Sequence, residues 1–172
     1  MSSYAGIGSR KLSRPQWDFC YACGKWLAEQ RWTLRTGACS GADQAFAEGA
    51  LDAGGKVILC LPWPSYEFKW VNLARARGAT SELLQYWHKD HFASVDIHHP
   101  APEHLTSAAR SLHARNSLIL DPCVRFVLAF PGPRLGGTGQ GIRIANSRGT
   151  EVIRLDLPLE RTRVENVIGL KL

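Results

Sequence analysis

Short apolar runs alternate with stretches of helical period along most of this chain. Residues 4–7 (Tyr4-Ala5-Gly6-Ile7) form a compact apolar run closed by glycine, which predicts a buried strand. Over residues 15–30, Trp17, Cys20, Tyr21, Gly24, Leu27 and Ala28 recur at helical spacing, and Pro15 suits a first helical turn. Residues 32–35 predict a second strand. A small-residue helix follows, with Ala42, Ala45, Phe46, Gly49 and Ala50 on one face, narrow enough to lie close against a sheet. Gly54-Gly55 stops it, and Lys56-Val57-Ile58-Leu59-Cys60-Leu61 is the clearest strand in the protein, ended by Pro62. A helix is predicted over residues 102–120, with Leu105, Ala108, Ala109, Leu112, Asn116 and Ile119 on its apolar face. A strand at 125–129, a helix through 142–147 closed by Gly149, and a strand at 151–156 follow. The tail from residue 157 carries Val164, Val167, Ile168 and Leu170, and is expected to add an edge strand or pack across the surface.

The interval 63–102 breaks this rhythm. It is rich in aromatics (Trp63, Tyr66, Phe68, Trp70, Tyr86, Trp87, Phe92) and carries Lys69, Arg75, Arg77 and Lys89. Structureless loops of that length are uncommon in compact domains, so a helix is expected near residues 81–89, with the stretch acting as a lid on the site. Strands alternating with helices predict an α/β fold: a Rossmann-like three-layer α/β/α arrangement around a mostly parallel sheet, one domain over residues 1–172. No internal repeat or low-complexity segment interrupts it.

Composition narrows the class. The 172 residues are 45% hydrophobic, yet no stretch approaches the roughly 18–20 apolar residues of a membrane span. The N-terminus enters a strand at once, without a basic region and apolar signal core, and the five cysteines (Cys20, Cys23, Cys39, Cys60, Cys123) are odd in number and scattered. Together these lead to the expectation of a cytoplasmic protein with reduced thiols and no membrane partner. The net charge of +6 admits phosphate-bearing partners.

The candidate chemistry lies in three glycine-rich turns, each just after an apolar run. They are Gly6-Ile7-Gly8-Ser9-Arg10, Thr36-Gly37-Ala38-Cys39-Ser40-Gly41-Ala42-Asp43 and Gly136-Gly137-Thr138-Gly139-Gln140-Gly141. Glycine lets backbone approach a ligand closely, and a helix start adds free N–H groups and a positive dipole end. In open parallel sheets ligands bind beyond the carboxyl ends of the strands, where strand order reverses, so all three turns are expected on one edge. That expectation assigns Gly6, Gly8, Ser9 and Arg10 to one end of a nucleotide-type ligand. It assigns Thr36, Gly37, Ser40, Gly41 and Asp43 to the ribose side, and Gly136, Gly137, Thr138 and Gly139 to a phosphate. Asp43 has two readings, an acceptor for a ribose hydroxyl or a cap and dipole partner of the helix it opens.

Gly8-Ser9-Arg10, Thr36-Gly37 to Asp43, Ala114-Arg115-Asn116 and Gly136-Gly137-Thr138, in that order and spacing, resemble the SLOG superfamily. That group joins the cytokinin-activating phosphoribohydrolases of the Lonely Guy type, the fold of DNA-processing protein A, and small bacterial and phage proteins. The resemblance spans residues 4–156 and implies a Rossmann-like pocket for nucleotides or nucleotide-derived ligands. It implies that Arg115 matches the arginine beside the N-glycosidic bond, with Asn116 next to it, and that Gly137 and Thr138 match the phosphate-binding turn. The hydrolases carry a catalytic glutamate three residues after the threonine, and here that position is Gly141, preceded by Gln140. Neither residue supplies the carboxylate that would assist water against an oxocarbenium-like ribose. Glu67, Asp96 and Glu103 are the substitutes the variable stretch offers.

Three functional readings follow. The first is a sensor or sequestering protein that binds a nucleotide without turning it over. The second is a phosphoribohydrolase-like enzyme using Arg115 and a relocated carboxylate. The third is a single-stranded DNA-binding protein using Lys69, Trp70, Arg75, Arg77, Tyr86 and Trp87, a basic and aromatic set suited to a stacked strand. No metal and no cofactor is expected: Cys20-x-x-Cys23 lies on a core face without a second pair, and His88, His91, His98 and His99 lack a further positioned ligand. The resemblance also implies a homodimer.

Overall fold

The computed structural model describes residues 2–132 and 136–169. Six parallel strands form one sheet: β1 (Ser3–Gly8), β2 (Thr33–Thr36), β3 (Val57–Leu61), β4 (Thr80–Leu83), β5 (Val124–Phe130) and β6 (Glu151–Arg154), in the order β4-β3-β2-β1-β5-β6. Helices α1 (Arg14–Glu29), α2 (Ala42–Asp52), α3 (Phe68–Ala76), α4 (Lys89–His98), α5 (Ser107–Ile119), α6 (Gly136–Ser147) and α7 (Pro158–Ile168) complete the layers. The result is the expected three-layer, Rossmann-like α/β/α fold. The chain winds outward from β1 to β4, then returns to the other side of β1 for β5 and β6. Strand order therefore reverses at β1 and β5.

Alternation along β1 divides the core. Tyr4 packs with Phe19, Leu34, Phe46 and Leu128 under α1 and α2, whereas Ala5 and Ile7 face Ile119, Val127, Ile144 and Ala145 under α5 and α6. Because side chains alternate across a strand, one run of four residues serves both layers. The small-residue pattern of α1 and α2 has a direct use. A Cβ on Gly24 would sit 2.1 Å from the Phe46 carbonyl oxygen, and one on Gly49 would sit 1.9 Å from that of Tyr21. Glycine at both places lets the two helix backbones touch.

One expectation about elements changes and another is narrowed. The stretch expected to be helical at 81–89 is the edge strand β4 followed by a turn, and the interval also holds α3 and α4. The tail is a helix, α7, opened by Pro158, with Val164 and Ile168 against the core and Arg161 4.9 Å over the Phe19 ring. Pro133, Arg134 and Leu135 of the third turn, and Leu170, lie outside the described residues. Among the described residues no helix is long and apolar enough to cross a membrane.

Candidate functional site

The loops after β1 and β2 are tied together before any ligand is considered. At the end of β1 a Cβ on Gly8 would sit 2.5 Å from the Ala42 Cβ and 2.6 Å from the Phe130 carbonyl oxygen. Three segments meet there, and only glycine fits. The Ser9 amide donates to Phe130 O at 2.8 Å, and the Ala42 amide donates to Ser9 O at 3.0 Å. Gly41 turns this corner at φ +88°, in the left-handed region that favours glycine. The Ser9 hydroxyl is engaged locally, donating to Lys11 O at 2.9 Å.

The second loop passes over a buried charge pair. Arg115 rises from α5, 4% exposed, and donates from Nη1 to Cys60 O at 3.0 Å, with Nη2 3.7 Å from Cys39 Sγ. Its Nη1 and Asp43 Oδ2 lie 2.1 and 2.3 Å from the point a Gly37 Cβ would occupy, so Gly37 leaves room for both. Burial pushes the Asp43 carboxyl up to about 6, against the opposing pull of Arg115, the Cys39 amide, Arg10 and the Gly8 amide. Arg115 Nε is buried without a hydrogen-bond partner. Tyr66 caps the group from outside, its ring 5.8 Å from the Arg115 guanidinium carbon and its hydroxyl 2.8 Å from Cys39 Sγ.

The third wall is the first turn of α6. Gly136 adopts φ +48°, and Gly136, Gly137 and Thr138 share one cleft with Gly8, Ser9, Arg10, Cys39 and Asp43 of the β1 and β2 loops, a place where a helix start offers N–H groups and a positive dipole end. Asn116 Nδ2 donates to Gly137 O at 3.2 Å and to Gln140 Oε1 at 2.8 Å, and His113 Nδ1 lies 3.0 Å from the same Gln140 oxygen. Gln140 is fully buried, and its Nε2 has no partner.

These walls enclose a cleft of about 310 Å³ at the carboxyl ends of β1 and β5, the place where strand order reverses. Of the residues picked out from sequence, Gly8, Ser9, Arg10, Asp43, Arg115, Asn116, Gly136, Gly137 and Thr138 line it. Gly6, Thr36, Gly37, Ser40, Gly41 and Gly139 do not. A Cβ on Gly6 would meet the Phe46 ring at 2.8 Å, and the Thr36 hydroxyl donates to Gly6 O at 2.6 Å, so both belong to the core behind the wall. Ser40 is exposed. Cys39, His113 and Gly132 also line the cleft. His113 shares an α5 face with Asn116 and lies just before the Ala114-Arg115-Asn116 motif, which was the available signal for it.

The carboxylates divide sharply. Asp43 is the acidic residue on the cleft wall among the described residues. Asp96 pairs with Arg110 at 2.9 Å, Glu103 lies 3.5 Å from His104, and Glu67 precedes α3. At position 141 a Cβ would meet Ile7 Cδ1 at 2.9 Å, so the helix there is pressed against β1. Of the strand-binding set, Arg77 is paired with Glu48 and Asp52, and Trp70 donates to Glu48 at 2.8 Å. Tyr86 and Trp87 are exposed, 53% and 78%, just beyond β4 on the sheet edge that carries the cleft.

Residues 5–74 match the model of the SLOG cluster4 family, a span holding the first two glycine turns. No curated protein matches the chain. Among solved structures, DNA processing protein A from Streptococcus pneumoniae is 20% identical with a TM-score of 0.61, over 88% of this chain and 49% of that one. DNA processing protein A from Helicobacter pylori, described by its single-stranded DNA binding mode, is 18% identical with a TM-score of 0.62, over 88% and 63%. The chain thus spans about half the length of the first and under two-thirds of the second. At this identity the likeness establishes architecture: the chain has a SLOG-like Rossmann fold, related to that of the DNA processing protein A structures.

Proposed function

We propose that the cleft binds a nucleotide through its phosphate and holds it without turnover. The observation that supports this is the convergence of Arg10 and the first turn of α6 on one cavity at the strand-order reversal, beside the close-packed Gly8-Ser9 corner. Backbone donors at a helix start and a guanidinium with no ion-pair partner among the described residues suit a phosphate, and the cavity volume accommodates a mononucleotide. The chemistry for cleavage is thin. Arg115, on the cleft wall, donates to Cys60 O, and Asp43 is itself buried close beside it. No carboxylate stands on α6 at position 141.

A thermal-shift series with nucleoside mono-, di- and triphosphates tests the reading, followed by chromatography of the mixture. Ligand at about 100 times its Kd adds about 2.7 kcal/mol, which for a chain of this size raises Tm by roughly 5–10 °C. Gly137→Val is the matching control. A Cβ there points at His113 Cε1 (3.8 Å) and Asn116 Nδ2 (4.0 Å), ordinary contacts that leave the fold intact while the side chain fills ligand space. Intact ligand with a shift lost in Gly137→Val supports binding without turnover; an unchanged shift in the variant removes the pocket assignment. Release of free base would replace this reading with the hydrolase.

A second reading, single-stranded DNA, is favoured by the exposed Tyr86 and Trp87 and by the fold shared with the Helicobacter protein. Strand β4 lies three strands from β1, about 14 Å at the usual spacing, a reach of two or three nucleotides from a phosphate held in the cleft. Fluorescence anisotropy with labelled oligo-dT separates the two. Strand binding predicts a steep salt dependence and a loss of about 1–3 kcal/mol on Trp87→Ala, while mononucleotide binding is indifferent to that change.

A further inference from the structure

The amides around His113 settle which of its nitrogens carries the proton. Asn116 Nδ2 faces the Gly137 carbonyl, so that atom is a donor and the Asn116 amide has one orientation. The same Nδ2 lies 2.8 Å from a Gln140 side-chain atom, which must then be the oxygen Oε1. His113 Nδ1, 3.0 Å from that oxygen, can only be its donor. A neutral imidazole with Nδ1–H keeps its lone pair on Nε2. The ring's Cε1 lies 3.8 Å from the Gly137 Cβ position, which sets the adjoining Nε2 beside the first turn of α6 and on the cleft wall. Among the described residues no group hydrogen-bonds to it.

We propose that His113 Nε2 is the cleft's acceptor for a ligand hydroxyl, so that the molecule bound is a sugar phosphate or ribonucleotide whose hydroxyl lies next to its phosphate. This rests on the phosphate reading of the cleft given above. The backbone of the α6 turn supplies donors, and a fixed acceptor beside it selects ligands carrying a donor near the anion. Gln140 and Asn116 are positioning residues, acting through His113. Burial and the facing His99, Arg115 and Arg143 hold the His113 imidazole below its ordinary value against the opposing hydrogen bond to Gln140, so the ring is neutral at pH 7.5.

The experiment compares ribose 5-phosphate with inorganic phosphate by isothermal titration, using wild type and His113→Phe at pH 7.5 and at a pH below the His113 midpoint found by NMR titration of the same protein. Wild type at pH 7.5 is expected to prefer ribose 5-phosphate about tenfold beyond inorganic phosphate, with His113→Phe losing the preference but keeping its affinity for inorganic phosphate within twofold. Below that midpoint the imidazolium has no lone pair, and the wild-type preference should collapse to that of the variant. A wild type that binds both probes equally, or a His113→Phe that weakens both alike, overturns the hydroxyl-reading role while leaving the phosphate site standing. A wild type that binds neither removes the phosphate site and this inference with it. Long-range proton–nitrogen correlation spectra of 15N-histidine protein check the tautomer independently, and a proton on His113 Nε2 at pH 7.5 overturns it.

Discussion

Replacing Arg115 by methionine should destabilise the protein in a way that grows with pH, because the guanidinium is the foremost charge acting on a buried carboxyl, Asp43, that titrates. Arg115 Nη1 and Asp43 Oδ2 lie 2.1 and 2.3 Å from a common point, so they are no more than about 4.4 Å apart. At an effective dielectric constant of about 20 the attraction is about 4 kcal/mol. Withdrawing it raises the Asp43 carboxyl further above its value of about 6. The sign follows from linkage. Asp43 is raised above its unfolded value, so its contribution to stability is fully present below pH ~4 and declines as pH rises through about 6. In wild type the decline is complete by pH ~7, whereas in the variant it continues to higher pH. At pH 5 both proteins hold Asp43 protonated, and the pair contributes almost nothing to the difference. At pH 8 only the variant does, and the pair adds about 3 kcal/mol of destabilisation, or roughly 6–12 °C in Tm. Loss of the bond to Cys60 O adds about 1–2 kcal/mol at both pH values.

Urea unfolding of wild type, Arg115→Met, Asp43→Asn and the double variant at pH 5 and 8 reads this directly. The coupling energy should be about 3 kcal/mol at pH 8 and near zero at pH 5. A loss in Arg115→Met that is equal at both pH values, with no coupling to Asp43, would refute the reasoning. The same numbers bear on catalysis. A truncated Arg115 unbalances the frame of the site, so lost activity in Arg115→Ala would not by itself identify a catalytic residue.

Gly24→Ala should destabilise by about 3 kcal/mol or more, above the usual range for an added methyl, since the new Cβ meets backbone at 2.1 Å; a urea midpoint within error of wild type would count against the contact. Acidification should loosen α4, because burial holds His91 and His98 below their ordinary values, and stability present above pH 6.5 is lost as pH falls through it. Amide protection factors of α4 at pH 5.5 and 7.5, corrected for intrinsic exchange, check this, and equal protection would contradict it. Gln140→Glu should raise the His113 titration midpoint, since a carboxylate favours the imidazolium it accepts from. An NMR titration with an unmoved midpoint would break the link between the two side chains.

The strands that carry the site were legible because each is buried on both faces. Residues 4–7 and 57–61 read as unbroken apolar runs, as strands in the middle of a parallel sheet do. Edge position removed that signal from β4, whose sequence Thr80-Ser81-Glu82-Leu83 has no fully buried residue. Helices α3 and α7 were obscured for a related reason. The first buries only Val71 and Ala74 and the second buries no residue completely, so neither presents a full apolar stripe. The glycine turns announced a close approach of backbone, but the sequence could not say to what. Gly8 and Gly41 make room for neighbouring loops, Gly37 for two charged side chains, and Gly24 and Gly49 for a partner helix.

Position 141 shows how one small residue shapes a site's chemistry. With glycine there, α6 sits against Ile7 and offers the cleft no charged acceptor at that position. The residue before it does not supply one either, because Gln140 turns inward and is fully buried. Its oxygen instead anchors His113 and Asn116 on α5, so the polar function moves from α6 to the facing helix. A neutral imidazole in that place accepts a hydrogen bond at pH 7.5 without adding negative charge beside a bound phosphate. A glutamate would repel the same anion. On the proposed reading the arrangement favours retention of a phosphorylated ligand over its cleavage, and it ties the choice among such ligands to the protonation of one ring.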